Sequence, residues 1–169
     1  MSDNIRRILS ANKEYAVEYG DRRSLGIIPA RKIAILTCMD ARIEPLQLAG
    51  LKTGDAHIVR NAGGRASNDA VRSLVISNQL VGTNEWLVIH HTDCGLEATN
   101  NEEMGKQLRE TLNTAEGDFI NWMTITDRIE SVKDDVKRLR SHPLVPVDVR
   151  IAGLLFDVET GLLSEVIKA

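Results

Sequence analysis

Short apolar runs alternate along this chain with stretches in which apolar residues recur at helical spacing. Ile33 to Thr37, Ala56 to Arg60 and Trp86 to His90 have strand length and are rich in β-branched residues. Between the second and third, Val71, Leu74, Val75 and Leu80 mark a helix that Ser67 or Asn68 caps and Gly82 ends. Thr126 to Arg140 predicts another, with Ile129, Val132, Val136 and Leu139 on one face and Pro143 beyond its end. Asn4 to Tyr19 places Ile5, Ile8, Leu9, Tyr15 and Val17 close to helical spacing, an amphipathic arm suited to packing on a partner subunit. Glu44 to Ala49 predicts a short helix opening near Pro45 and closed by Gly50, and the polar region up to about Asn121 holds further helical stretches. Val149 to Val158 is a long apolar strand, followed by a Glu159-Thr160-Gly161 hairpin turn and an edge strand over Leu162 to Val166.

The order strand, helix, strand, helix, strand predicts an α/β fold: a mostly parallel central sheet flanked by helices, with a C-terminal antiparallel edge strand. Right-handed crossovers put the carboxyl ends of the first three strands on one side, the side where open α/β sheets bind ligands. There is no internal repeat, low-complexity segment or linker, so residues 1–169 are expected to form one domain with a helical arm over about 2–19.

Composition narrows the picture by exclusion. With 169 residues, 43% of them hydrophobic and 27% charged, the chain is long and apolar enough to bury a core without staples. A net charge of -3 gives no support for nucleic-acid or membrane-surface partners. No apolar stretch nears the roughly 20 residues that span a bilayer. The first residues, Met1-Ser2-Asp3-Asn4-Ile5-Arg6-Arg7, lack the apolar core of a secretory signal, so a cytoplasmic setting with reduced thiols is expected.

That setting matters for the two cysteines, each of which closes a predicted strand. Cys38-Met39-Asp40-Ala41-Arg42 follows the first, and His91-Thr92-Asp93-Cys94-Gly95 follows the third. Two thiolates and an imidazole form a zinc ligand set that leaves one tetrahedral position open, the mark of a catalytic site. A water there has its pKa brought towards about 7, which makes hydroxide available near neutral pH. If the backbone stays extended, Cys38, Asp40 and Arg42 project to one side, and Arg42 can hold Asp40 ionised through a bidentate hydrogen bond. The alternative is that Asp40 turns from Arg42 and completes a four-ligand, inactive site. The sequence leaves both states open.

Taken together these clusters, about fifty residues apart and with Arg60-Asn61-Ala62-Gly63 between them, resemble the β-class carbonic anhydrases. The resemblance runs from the strand before Cys38 to the terminal hairpin. It implies an α/β fold in dimers or multiples of dimers, one Zn2+ per chain on Cys38, His91 and Cys94, and a catalytic dyad of Asp40 and Arg42. The implied reaction is reversible hydration of carbon dioxide to bicarbonate and a proton by zinc-bound hydroxide. Ala41 stands where serine is commoner in that family. Relatives with the same ligand set hydrolyse carbonyl sulfide or carbon disulfide, linear heterocumulenes attacked at carbon in the same way, so these are the alternative substrates. In many relatives the cleft lies at the subunit interface, and the resemblance implies a homodimer or tetramer.

Two other classes fit the residues less well. A cysteine-nucleophile enzyme is disfavoured, because Arg42 follows Cys38 too closely for a phosphate-cradling loop and no CxxC pair exists. A non-catalytic zinc protein would need Asp40 as a permanent fourth ligand.

The remaining residues carry quieter expectations. His90, opposite in strand phase to His91, is read as structural, and His57 and His142 as packing or surface residues. Asp93 is expected to face away from the metal and bond turn amides. Gly63 is a candidate substrate-pocket residue, and with Gly64 permits a tight turn. Arg60, Arg65 and Arg72 are read as solvated or salt-bridged, and Met39 as core filler.

Overall fold

A computed structural model describes residues 1–169. Five strands form one sheet in the order β2-β1-β3-β4-β5: β1 (Ile33–Cys38), β2 (Ala56–Asn61), β3 (Glu85–His91), β4 (Arg150–Phe156) and β5 (Leu163–Ile167). The first four run parallel, and β5 pairs antiparallel with β4, with Phe156 opposite Leu163. The chain leaves β1 for β2 on one side and reaches β3 on the other, so the strand order reverses between β1 and β3. Crevices open at such a reversal.

Alternation along the strands separates two packing faces. Ala34 and Leu36 of β1 and Trp86 and Val88 of β3 pack with α3 (Asn68–Val81) and α5 (Arg128–Arg140) through Leu74, Val132, Val136 and Leu139. Ile35 and Ile89 face the other way, with Ile43, Ile125 and Phe156. On that second face Ile58, Leu87 and Leu154 are only half-buried. The short α2 (Pro45–Leu48) begins with proline, whose missing N–H would be unpaired there anyway.

Helix ends follow local chemistry. Ser67 caps α3, accepting from the Ala70 N–H, and Gly82 ends it in the left-handed conformation. Asn100 caps α4 (Asn101–Leu112), and Asp127 accepts from the Ile129 and Glu130 N–H groups to start α5. The arm is α1 (Asp3–Val17), and every residue from 1 to 28 is exposed.

Three packing expectations are corrected. Leu80, given to the buried face of its helix, is exposed, because at about 100° per residue it lies half a turn round the helix from the buried Val71. Ile129 is exposed at the first turn of α5, where Ser131, Val132 and Asp135 face inward instead. Met39, expected to fill core, is 67% exposed, because the chain has left the sheet by that residue.

Candidate metal centre

β1 and β3 are hydrogen-bonded neighbours, and their carboxyl ends deliver the two clusters to one place. Cys38 is the last residue of β1 and His91 the last of β3, with Cys94 three residues on. The two sulfurs and a His91 ring nitrogen all lie within 4.8 Å of one another, and all three residues are buried. The His91 Nδ1–H donates to the Thr92 carbonyl at 2.8 Å, which leaves Nε2 as the lone-pair nitrogen. That Nε2 is buried without a hydrogen-bond partner. A buried, unpaired imidazole nitrogen beside two thiols is what a tetrahedral zinc site requires of its protein. The residues fit the metal.

The three donors compete for protons because their lone pairs converge. Hydrogen bonding from Cys94 holds the Cys38 thiol down to about 4, against burial, with help from His91 and the Asp40 and Gly63 N–H groups. The same contact, with burial, pushes the Cys94 thiol well above its ordinary range. Burial alone would lower the His91 imidazole, yet the Cys38 sulfur beside it turns the net shift upward.

Asp40 and Arg42 meet, though by a different route from the one expected. The strand ends at Cys38, so a turn rather than strand alternation brings them together, closed by the Ile43 N–H on the Asp40 carbonyl. Arg42 Nε donates to Asp40 Oδ1 at 3.0 Å and Nη2 to Oδ2 at 2.8 Å, while the Arg42 N–H also reaches Oδ1. This fork holds the carboxyl well below the usual carboxylate range. Asp40 Oδ2 lies 3.9 Å from His91 Nε2, beside the three-donor cluster.

Two residues do more here than their sequence context conveyed. Asp93, expected to bond turn amides, instead accepts from Arg42 Nη1 at 2.7 Å, and its carbonyl accepts from Nη2 at 2.9 Å. Its φ of 56° turns the chain between His91 and Cys94. Arg60 is anchored on backbone: Nε donates to the Cys38 carbonyl and Nη2 to the Asp40 carbonyl, fixing the turn that carries the dyad. For Asp93 the only prior signal was charge inside a cluster, and Arg60, read as solvated or salt-bridged, stood in the Arg60-Asn61-Ala62-Gly63 run.

Gly63, with Met39, Ala62 and Leu96, lines a space of about 330 Å³ that reaches both cysteines. Its N–H donates to Cys38 Sγ at 3.3 Å. His90 is buried, with its Nε2 3.2 Å from Asp135 Oδ2. His57 bonds Ser77, and the His142 ring accepts from the Leu144 N–H, both away from the centre. Arg65 is salt-bridged to Asp135, and Arg72 is paired on the surface with Asp69.

Residues 33–163 match the family model described as Carbonic anhydrase. The chain is 36% identical over 160 residues to Beta-carbonic anhydrase 1 of Mycobacterium tuberculosis, covering 94% of each. It is 38% identical to a Carbon disulfide hydrolase of an Acidianus species, over 88% of this chain and 83% of that one. A crystal structure of a carbonic anhydrase from Streptococcus mutans superposes with a TM-score of 0.93 at 42% identity, over 98% of this chain and 99% of the other. A sheet switch point carrying a buried Cys-His-Cys cluster beside an Asp–Arg pair therefore belongs to a zinc-centred α/β protein. The chain is a member of the β-class carbonic anhydrase family.

Proposed function

We propose that this protein interconverts carbon dioxide and bicarbonate, with one zinc per chain on Cys38, His91 and Cys94 and with Asp40 and Arg42 as the catalytic dyad. One observation carries the reading: three protein donors converge, and the nearest carboxylate, Asp40, is held by Arg42. This favours an open fourth position over the four-ligand inactive state. Zinc in that site supplies a Lewis acid that makes a water nucleophilic near neutral pH.

The chain's own residues do the rest. An ionised Asp40 can only accept a hydrogen bond, so the attacking water must point a hydrogen at it. That leaves the water's lone pair facing the cleft. Met39, Ala62, Gly63 and Leu96 offer a small, largely apolar wall to a linear, uncharged substrate. Attack forms one C–O bond and opens one C=O π bond, bicarbonate departs as water enters, and the released proton passes to buffer.

The 38% identical carbon disulfide hydrolase makes the sulfur analogues the second reading. The decisive experiment compares carbon dioxide hydration with sulfide release from carbonyl sulfide and carbon disulfide, for the native protein and Cys38→Ser. Fast hydration lost in Cys38→Ser supports the first reading. Sulfide release with feeble hydration transfers the same site to the second.

The assembly is proposed as a homodimer or a pair of dimers. Parallel sheets are ordinarily covered on both faces, yet one face here is half-buried and the whole arm touches solvent. We read residues 1–169 as one catalytic domain plus that arm. Zinc ligation by Cys38 and Cys94 needs them as thiolates, which suits a reducing, cytoplasmic setting. No helix is long and apolar enough to cross a membrane.

A further inference from the structure

Behind the metal centre lies a buried ion pair that the reaction itself does not use. Arg65 Nε donates to Asp135 Oδ2 at 2.7 Å, with side chains only 12% and 2% exposed. In every other arginine or lysine pair with a carboxylate, the basic side chain is at least 30% exposed. Buried pairs are poor devices for stability, since apolar residues of similar volume commonly do as well. Placement is the better explanation.

We propose that Arg65, locked by Asp135, is a positioning residue for both metal-binding thiolates; this rests on the zinc reading above. Two chains of contact lead from its guanidinium to the two sulfurs. The first is covalent and short. Arg65 directly follows Gly63 and Gly64, whose φ values of 74° and 68° make the loop soft, and the Gly63 N–H donates to Cys38 Sγ. Anchoring Arg65 to α5 fixes where that N–H points.

The second chain runs through a strained segment. Arg65 Nη1 donates to the Met123 carbonyl at 2.9 Å and the Thr124 carbonyl at 3.3 Å. Met123 has a φ of 53°, a left-handed conformation that holds only where neighbours fix it. Just after Met123 and Thr124, the Ile125 N–H donates to the carbonyl of Leu96, which lies two residues beyond Cys94. One planar fork thus clasps the loop that supplies an N–H to the Cys38 sulfur and the segment that holds the turn after Cys94. Lysine, a single point of charge, cannot make all these bonds. Hydrogen bonds to ligand sulfur set its position and its donation to the metal.

The test is zinc affinity by chelator competition, together with the thiolate-to-cobalt absorption band of the cobalt-substituted protein. The variants are Asp135→Asn and Arg65→Lys, with Val136→Ala as a cavity-forming control on the same helix. Asp135→Asn and Arg65→Lys are each expected to weaken zinc binding about 10- to 100-fold and to shift the cobalt band, with helical circular dichroism retained. Val136→Ala is expected to lower the melting temperature and leave both metal readouts unchanged. If Asp135→Asn does not fold, Arg65→Lys decides. Native affinity and band in a folded variant overturn the proposal, as does an equal loss in Val136→Ala. A native protein that binds no zinc or cobalt overturns the metal reading itself, and the positioning role falls with it.

Discussion

Gly64 shows how little room the centre leaves at the level of a single atom. It has a φ of 68°, and a Cβ there would sit 2.9 Å from the Cys38 nitrogen and the Thr37 carbonyl carbon, both backbone. Gly161 has nearly the same φ, 72°, and no neighbour within 4 Å of such a Cβ. The two positions separate conformational strain from collision. Gly161→Ala is expected to lose about 1 kcal/mol from the left-handed conformation alone. Gly64→Ala adds a clash with backbone that cannot swing away, for a total of about 3 kcal/mol. Urea midpoints of the two variants measure the difference, and equal losses would remove the argument. Asp40 is a chemical rather than steric case. Asp40→Asn keeps the size but loses the charge and the fork with Arg42, so turnover is expected to fall about 100-fold or more with zinc content unchanged. Where chemistry is local in sequence the grouping was legible: Cys38, His91, Cys94, Asp40 and Arg42 all come together. It missed Asp93 and Arg60, because their roles depend on a turn whose backbone carbonyls and left-handed residue no pattern of residue types encodes.

At the scale of elements, periodicity was a good guide to existence and a weaker one to faces. All five strands and the helices around Leu74 and Val136 form where the apolar spacing placed them. Ser67 caps the first of these helices as read, and Asp127 caps the second, which starts at Arg128, two residues later than Thr126. Ile129 and Met39 break the rule because an apolar residue at the end of an element can pass beyond the core, and Leu80 because its helical phase sets it opposite Val71. The reverse error concerns α5, whose inward face carries a carboxylate. Burial pushes the Asp135 carboxyl up, but His90 and Arg65 outweigh it and hold the group below its ordinary value. A depressed folded-state pKa gives stability that is present above the unfolded value of about 3.9 and lost as pH falls through the folded one. Asp135→Asn lacks that contribution. The native protein is therefore expected to be about 3 kcal/mol more stable than the variant at pH 7. The gap should narrow steadily as pH drops below about 4, as measured by paired denaturant titrations. A gap independent of pH would mean that the carboxylate is not held by these charges.

The whole molecule is unfinished by its own packing rules. Ile5, Ile8, Leu9, Tyr15 and Val17 are all exposed on an arm that buries none of its residues, and Val17 is 86% exposed. An isolated helix of this length is marginal in water and draws its stability from packing on an amphipathic face. The proposed dimer would give the arm a surface to pack on, and the half-buried sheet face is apolar surface that a second copy could cover. In a two-fold dimer each arm contact occurs twice, so one substitution acts twice per dimer. Ile8→Asp, at about 2 kcal/mol per copy, is expected to weaken association by about 4 kcal/mol, roughly a thousandfold. Sedimentation equilibrium tests this directly. The native protein should run at an even multiple of the 18.7 kDa chain, and Ile8→Asp should shift towards a single chain as it is diluted. The β-sheet signal in circular dichroism should persist in the variant, since nothing in the sheet of one chain rests on the arm. A native protein that sediments as a single chain would leave the arm with no partner of its own kind.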